Sequence, residues 1–489
     1  MGVLSALEPG EVFRFFEEIS RIPRPSYHEK AISDYLVSFA KERGLEYYQD
    51  QLYNVIIIKE ATPGYEDVAP IIIQGHMDMV CETAPGCTKD MEKEGLELLV
   101  EGDFVKAKGT TLGGDDGIAV AYALAPLMGH ALAFGNTLAH PRLEFICTVA
   151  EEVGMDGAHG IDVSMLKGHK LLNIDSEEEG IVLASCAGGG NVKLHLAAER
   201  EAAEGAFFTL TVAGLTGGHS GVEINKGRAN ASQLMARVLV SLMKHYPLRL
   251  VTMSGGSKDN AITRECTAQL VLTERTALAA LKAEVQALEE RLKREYAVSD
   301  PELSLCTGES DERAAFEPLS ESCTKKAAAL ILAVPNGVQR MSDDIPGLVE
   351  TSLNVGVNQL SEKELLLSYA VRSSVSTAFD ALLEKMTAIA DVFGAETVVS
   401  AVYPAWEYVR ESALREDMSR VYREMFGTEL KVEAIHAGVE CGILAGKIRD
   451  LDAVSMGPNL YDIHTPGERL SISSTKRMYD YIVKLLACK

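Results

Sequence analysis

Short, largely apolar runs at 53–58, 71–74, 143–149 and 171–174 follow two segments, 11–21 and 28–43, whose apolar positions recur at helical intervals. Runs that short and β-branched suit strands buried on both faces, and the helical stripes suit helices laid over a sheet. The first third of the chain therefore predicts an α/β layer, a mostly parallel sheet with helices on both faces. At 186–190 the sequence Cys-Ala-Gly-Gly-Gly interrupts this texture. Beyond it the pattern alternates, with strands expected at 191–196, 207–212, 351–357 and 365–372 and a helix at 379–393. Short apolar runs return at 397–402, 431–435 and 453–455, followed by a helix at 474–486. The expectation is one discontinuous domain, residues 1–187 and 396–489, carrying an inserted α+β domain at 188–395, with the cleft between them as the default site.

Composition narrows the partners. The 489 residues suffice for two large domains. Asp plus Glu number 71 against 47 for Lys plus Arg, a net charge of -24 without a basic run, so no nucleic acid partner is expected. The longest apolar stretch, 118–134, contains Pro126, Gly129 and His130 and reads as a buried helix with its connection, not a membrane span. Residues 1–16 include Glu8 and Glu11 and no apolar run of signal-peptide type. Nine cysteines, an odd number with no Cys-x-x-Cys pair, read as reduced thiols. The expected location is the cytoplasm.

Acids and histidines collect where the buried runs end. Gln74-Gly75-His76-Met77-Asp78 closes one run with an imidazole and a carboxylate two residues on, the partner a metal-bound imidazole needs to fix its tautomer; His-x-Asp alone is more often structural. Gly113-Gly114-Asp115-Asp116-Gly117 opens an apolar helix, where one acid is explained by capping and the second is not. Glu151-Glu152 follows the run at 143–149, so that one glutamate could ligate while its neighbour acts as a base, or both could be ordinary surface acids. Asp175 ends another run, and His464 lies in Asp462-Ile463-His464-Thr465-Pro466-Gly467-Glu468 far downstream. Together these residues gather at strand ends of one sheet, where α/β proteins bind ligands. Mixed imidazole and carboxylate donors suit zinc, with manganese or cobalt as substitutes, in number enough for two divalent ions sharing a carboxylate. His28, His130, His140, His159, His169, His195 and His245 have no partner motif and read as structural or surface residues, and Trp406 reads as packing.

The series His76-x-Asp78, Gly-Gly-Asp115-Asp116-Gly, Glu151-Glu152, Asp175, Gly217-Gly218-His219-Ser220-Gly221 and His464 resembles the di-zinc exopeptidases of the carboxypeptidase G and aminoacylase type. Three further stretches, 109–113, 255–262 and 436–442 (His-Ala-Gly-Val-Glu-Cys-Gly), make it most similar to the aminoacyl-histidine dipeptidases, also called Xaa-His dipeptidases or bacterial carnosinases. The likeness extends over nearly the whole chain. It implies a zinc-exopeptidase-like sheet domain with an inserted lid. It also implies that His76 and Asp175 hold one metal, Glu152 and His464 the other, that Asp115 bridges them, that Glu151 is the general base and that Asp78 orients His76. A cis peptide between Asp115 and Asp116 is expected on the same ground. The family's usual alanine before the bridging acid is Gly114 here.

In the insert the resemblance gives His219 the oxyanion and Asn260 and Arg372 the substrate's C-terminal end; read without it, these residues could cap a turn, close an Asx-turn and pair on the surface. Glu440 is a candidate for the substrate's free amino group or a solvated helix-start carboxylate. The implied reaction is hydrolysis of small unblocked dipeptides by a water held between the metals, with Glu151 taking its proton and passing it to the leaving amine. An N-acyl amino acid deacylase or a tripeptidase would use the same centre, and a metal-free binding protein is the alternative outside catalysis. The chain could work as a monomer or as a homodimer in which His219 reaches a neighbouring subunit's site.

Overall fold

The computed structural model describes residues 2–127, 132–133, 136–310 and 316–489; Gly129, His130 and Phe134 of the long apolar stretch lie outside them. The chain divides into two compact units, Met1–Ser185 with Tyr408–Ala434 and Val439–Lys489, and Cys186–Glu407 with Ile435–Gly438.

The first unit is built on an eight-stranded sheet in the order Glu46–Gln49, Val55–Lys59, Leu143–Thr148, Ile71–His76, Lys170–Asn173, Asp452–Ser455, Ile181–Cys186 and Lys431–Ile435. Its four central strands, from Leu143–Thr148 to Asp452–Ser455, run parallel, and Glu46–Gln49, Val55–Lys59 and Ile181–Cys186 pair antiparallel around them. Leu143–Thr148 and Ile71–His76 are buried at every residue. Their alternate side chains serve two faces: Ile71, Ile73, Leu143 and Phe145 join one large core, while Ile72 and Ile146 are buried outside it. Helices Gly10–Ser20, Gly114–Leu127, Ala413–Phe426 and Ile472–Leu486 supply that core. Because three neighbouring strands run parallel, their C-terminal ends share one edge; His76 stands at such an end, and Glu151, Glu152 and Asp175 follow such ends.

The second unit is a nine-stranded sheet whose main path runs Ser304–Glu309, Ala206–Ala213, Cys266–Leu272, Leu248–Gly255, Val349–Leu360, Glu364–Ser373, Gly188–Ala197, Glu396–Tyr403. Every pairing along it is antiparallel. Helices Ala231–Leu242, Leu278–Glu295, Glu321–Ala333 and Ser376–Phe393 build a separate core with it.

The insert reaches further than the sequence implies. The apolar run at 396–403 reads as part of the first domain, yet Glu396–Tyr403 pairs with Gly188–Ala197 from Gly189↔Tyr403 to His195↔Glu396, the chain returns to the first unit at Tyr408, and Ile435–Gly438 again belongs to the second. An apolar run marks a strand but carries no mark of the sheet it extends. All nine cysteines are free thiols. Among the described residues no helix is long and apolar enough to cross a membrane.

Candidate metal centre

His76 ends strand Ile71–His76 with an imidazole that is 1 % exposed. Its Nε2 lies 3.1 Å from Asp115 Oδ1, 3.6 Å from Asp175 Oδ1 and 4.0 Å from Glu151 Oε2, and its Nδ1 lies 3.4 Å from Asp78 Oδ1. His464 Nε2 sits 3.1 Å from Asp115 Oδ2 and 3.1 Å from Glu152 Oε2. Asp115 thus offers one oxygen to each imidazole. Among the described residues, two groups have ligand atoms close enough to hold a metal ion, His76 with Asp115 and Glu152, and His76 with Asp116 and Asp175.

The two adjacent aspartates are employed differently. Asp116 Oδ2 accepts the His76 backbone N–H at 3.2 Å and Oδ1 accepts Ala119 N–H at 3.3 Å, the latter being the capping bond that the sequence suggested for one acid. Asp115 caps nothing. The peptide between them is cis, in line with the resemblance.

The electrostatics describe an acidic recess. Burial works against a charged His76, but Asp115, Asp175 and Asp78 outweigh it and hold the imidazole well above its ordinary pKa. Asp115 and Glu152 raise His464 to about 10. Burial, reinforced by Asp175, Glu440 and Glu152 and opposed by His76, lifts the Glu151 carboxyl well above the usual carboxylate range. Glu152 Oε1 is buried without a hydrogen-bond partner. An orphaned buried oxygen beside two imidazoles and converging carboxylates fits a divalent cation, which would neutralise the crowded negative charge.

Two other acids separate sharply. Glu440 is 0 % exposed, and its Oε2 accepts Gln74 Nε2 at 2.6 Å and Thr148 Oγ1 at 2.7 Å. It is a buried anchor beneath the strand ends, so the solvated helix-start reading does not hold. Glu177, two residues past Asp175, is exposed; desolvation, then Asp175 and Asp115, push it up to about 7, with His464 opposing.

His219, Asn260 and Arg372 belong to the second unit. His219 pairs with Ala261 in a two-stranded ribbon, which sets it beside Asn260, whose carbonyl accepts Ser220 N–H at 2.8 Å. His219 Nδ1 accepts N–H groups from Gly221 and Val222 at 3.1 and 3.3 Å, so a neutral ring carries its proton on Nε2. Burial and then Arg372 lower its pKa, favouring that neutral form. Gly221 admits no side chain here, since a Cβ would lie 2.6 Å from the His436 carbonyl oxygen. Arg372 Nη1 donates to Tyr403 Oη at 2.9 Å, and both line a cleft of about 410 Å³ with Asn260 and Lys258. Trp406 is buried, and the described histidines without a motif are exposed or bonded locally, as His140 Nδ1 is to the Pro141 carbonyl at 2.7 Å.

Residues 210–300 match the family described as the peptidase dimerisation domain. The chain is 36% identical to the cytosol non-specific dipeptidase of Escherichia coli (strain K12) over 489 residues, 99% of each. The crystal structure of aminoacylhistidine dipeptidase from Vibrio alginolyticus superposes with a TM-score of 0.92 at 34% identity, covering 99% of this chain and 97% of that one. The chain belongs to the aminoacyl-histidine dipeptidase family of metallopeptidases. A tripeptidase from Staphylococcus aureus, at TM-score 0.55 and 14% identity over 98% of each chain, shares the fold alone.

At Gly114, where the family pattern has alanine, a Cβ would meet Leu460 Cδ2 at 2.5 Å, the end of a flexible side chain that can give way. Two residues that motif reading passes over hold the centre in shape. Glu468 accepts the backbone N–H groups of Leu112 and Gly113 on Oε2 and of Gly114 and Asp115 on Oε1, at 2.7 to 3.4 Å. Arg24, 1 % exposed, donates to the carbonyls of Met77 and Asp78 at 3.0 Å and of Gly113 at 2.5 Å. Asp78 ties the second carboxylate pair to His76, accepting Glu151 N–H at 3.1 Å, Glu152 N–H at 3.3 Å and Ser26 Oγ at 2.8 Å. Glu468→Ala strands four N–H groups in a buried loop and is expected to cost about 3 kcal/mol. A fall in thermal midpoint accompanied by weaker metal retention in a chelator competition checks it; an unchanged midpoint would contradict the anchoring role.

Proposed function

We propose that the protein is a metal-dependent dipeptidase acting on unblocked dipeptides, Xaa-His dipeptides among them. The observation that carries this reading is Asp115 presenting one oxygen to each of two imidazoles, in a chain alike over its full length to a dipeptidase. In this reading His76 and Asp175 hold one ion, Glu152 and His464 the other, and Asp115 both; zinc is the metal, with manganese or cobalt as substitutes. Bound there, the ions would polarise the scissile carbonyl and acidify a water.

Glu151 takes a proton from that water on its carboxylate and returns it to the leaving amine nitrogen. Its raised pKa brings it toward the range in which one group can do both near neutral pH. Asp78 fixes the His76 ring through Nδ1. His219 Nε2–H is the donor for the oxyanion, and its fixed tautomer supports that role. Arg372 and Asn260 receive the substrate's terminal carboxylate; Arg372 Nε is buried without a hydrogen-bond partner, which leaves a donor to spare. Glu440 is kept as a candidate for the substrate's amino group: its Oε2 is taken by Gln74 and Thr148, and its Oε1 is buried without a hydrogen-bond partner. We further propose a cytoplasmic homodimer, supported by the free thiols and by the match of residues 210–300.

Metal uptake should release protons. With His464 raised to about 10, its ring is cationic in the metal-free protein at pH 7.5, and ligation requires it neutral; His76 is shifted in the same direction. Loading the chelated protein is therefore expected to release at least about one proton per chain, read from the buffer dependence of the binding enthalpy. Above pH 10 the release through His464 should fade. Uptake without proton release would contradict ligation by the His464 ring.

Substrate class is tested with a panel of alanyl-histidine, β-alanyl-histidine and N-acetyl-histidine. Hydrolysis of the first two with little of the third is expected. Preference for N-acetyl-histidine would replace the dipeptidase by a deacylase.

A further inference from the structure

His436 opens the stretch His436-Ala437-Gly438-Val439-Glu440-Cys441-Gly442, and the dipeptidase reading gives it no task. It follows strand Lys431–Ile435 directly, is buried, and lies in the segment Ile435–Gly438 of the second unit. Within that unit it meets the surroundings of both His219 and Arg372. Its carbonyl oxygen would stand 2.6 Å from a Cβ at Gly221, and the Gly221 N–H is one of the two that His219 Nδ1 accepts. Its ring Nε2 lies 2.7 Å from Ser352 Oγ. Ser352 is the residue opposite Arg372 in the antiparallel pairing of Val349–Leu360 with Glu364–Ser373.

Opposite residues of an antiparallel pair project from the same face, with Cβ atoms about 4.5 to 5.5 Å apart. The Ser352 hydroxyl, held by His436, therefore stands beside the stem of Arg372. Arg372 itself is not pinned by an acid: its Nη1 donates to the Tyr403 hydroxyl at 2.9 Å, and its Nε is buried without a hydrogen-bond partner. Burial and then Arg372 hold the His436 pKa down to about 3, with the Val349 carbonyl opposing and His219 adding to the shift. The ring is thus neutral near pH 7 and does not repel the guanidinium it lies beside. We infer that His436 is a positioning residue, which holds Ser352 against Arg372 and so sets the guanidinium for the substrate's terminal carboxylate. This inference rests on the dipeptidase reading and on its use of Arg372.

The test compares the metal-loaded wild type with His436→Ala, His436→Gln and Ser352→Ala. KM for alanyl-histidine is measured beside the Ki of alanyl-histidinamide, the same peptide without its terminal charge. For His436→Ala and Ser352→Ala the expected result is a KM raised about tenfold, with kcat and the Ki each within about twofold of wild type, because the main-chain contact to Gly221 stays in place. His436→Gln, whose amide can still reach Ser352, should recover most of the loss. Ser352→Ala keeps the test readable where His436→Ala fails to fold. A KM within about twofold of wild type in Ser352→Ala, KM and Ki rising together, or a His436→Gln variant no better than His436→Ala overturns the assignment while leaving the dipeptidase reading intact. A wild type that cleaves no unblocked dipeptide overturns both.

Discussion

Replacing Glu151 by alanine is expected to lower kcat for alanyl-histidine by about 10²- to 10⁴-fold with both metals still bound. The distances separate this residue from its neighbour: Glu151 Oε2 is 4.0 Å from His76 Nε2, beyond Asp115 at 3.1 Å and Asp175 at 3.6 Å, whereas Glu152 Oε2 touches His464 Nε2 at 3.1 Å. Removing Glu151 takes away a proton carrier and leaves the other donors in place. Its backbone N–H still bonds Asp78, so the turn that carries Glu152 is preserved. Metal analysis alongside kinetics checks this. Metal lost from Glu151→Ala and retained by Glu152→Ala would exchange the two roles.

Asp115→Ala should release both metals together and bring activity to background. Its two oxygens face different imidazoles at 3.1 Å, the arrangement that would hold a pair of ions at the roughly 3.5 to 4 Å separation of such centres. Asp116→Ala, by contrast, removes a helix cap and a bond to the His76 backbone, and is expected to lower stability by about 1 kcal/mol while at least one metal stays bound. Two metals per chain in active Asp115→Ala protein would end the bridging assignment.

The sheet of the first unit was legible because its runs are short, rich in β-branched and apolar residues and buried at every position; 71–74 and 143–149 lie in Ile71–His76 and Leu143–Thr148 almost without offset. Acids and histidines that end such runs converge when the strands run parallel, and His76, Asp115, Glu151, Glu152, Asp175 and His464 do lie together. What escaped depends on distant partners. Arg24 bonds carbonyls 53, 54 and 89 positions away, and Glu468 bonds N–H groups more than 350 positions away. Periodicity records which face a residue shares with its near neighbours and carries nothing about such closures. Glu440 shows the same limit: its motif marks it as notable, but only the fold reveals that Gln74 and Thr148 seal it from solvent.

The most direct measurement is a metal titration of the chelated protein with Zn²⁺, following alanyl-histidine hydrolysis and bound metal together. Two ions should bind per chain, full activity should require both, and Asp115→Ala should neither retain metal nor turn over. Full activity in the metal-free protein, or a plateau at one bound ion, would contradict a two-metal dipeptidase.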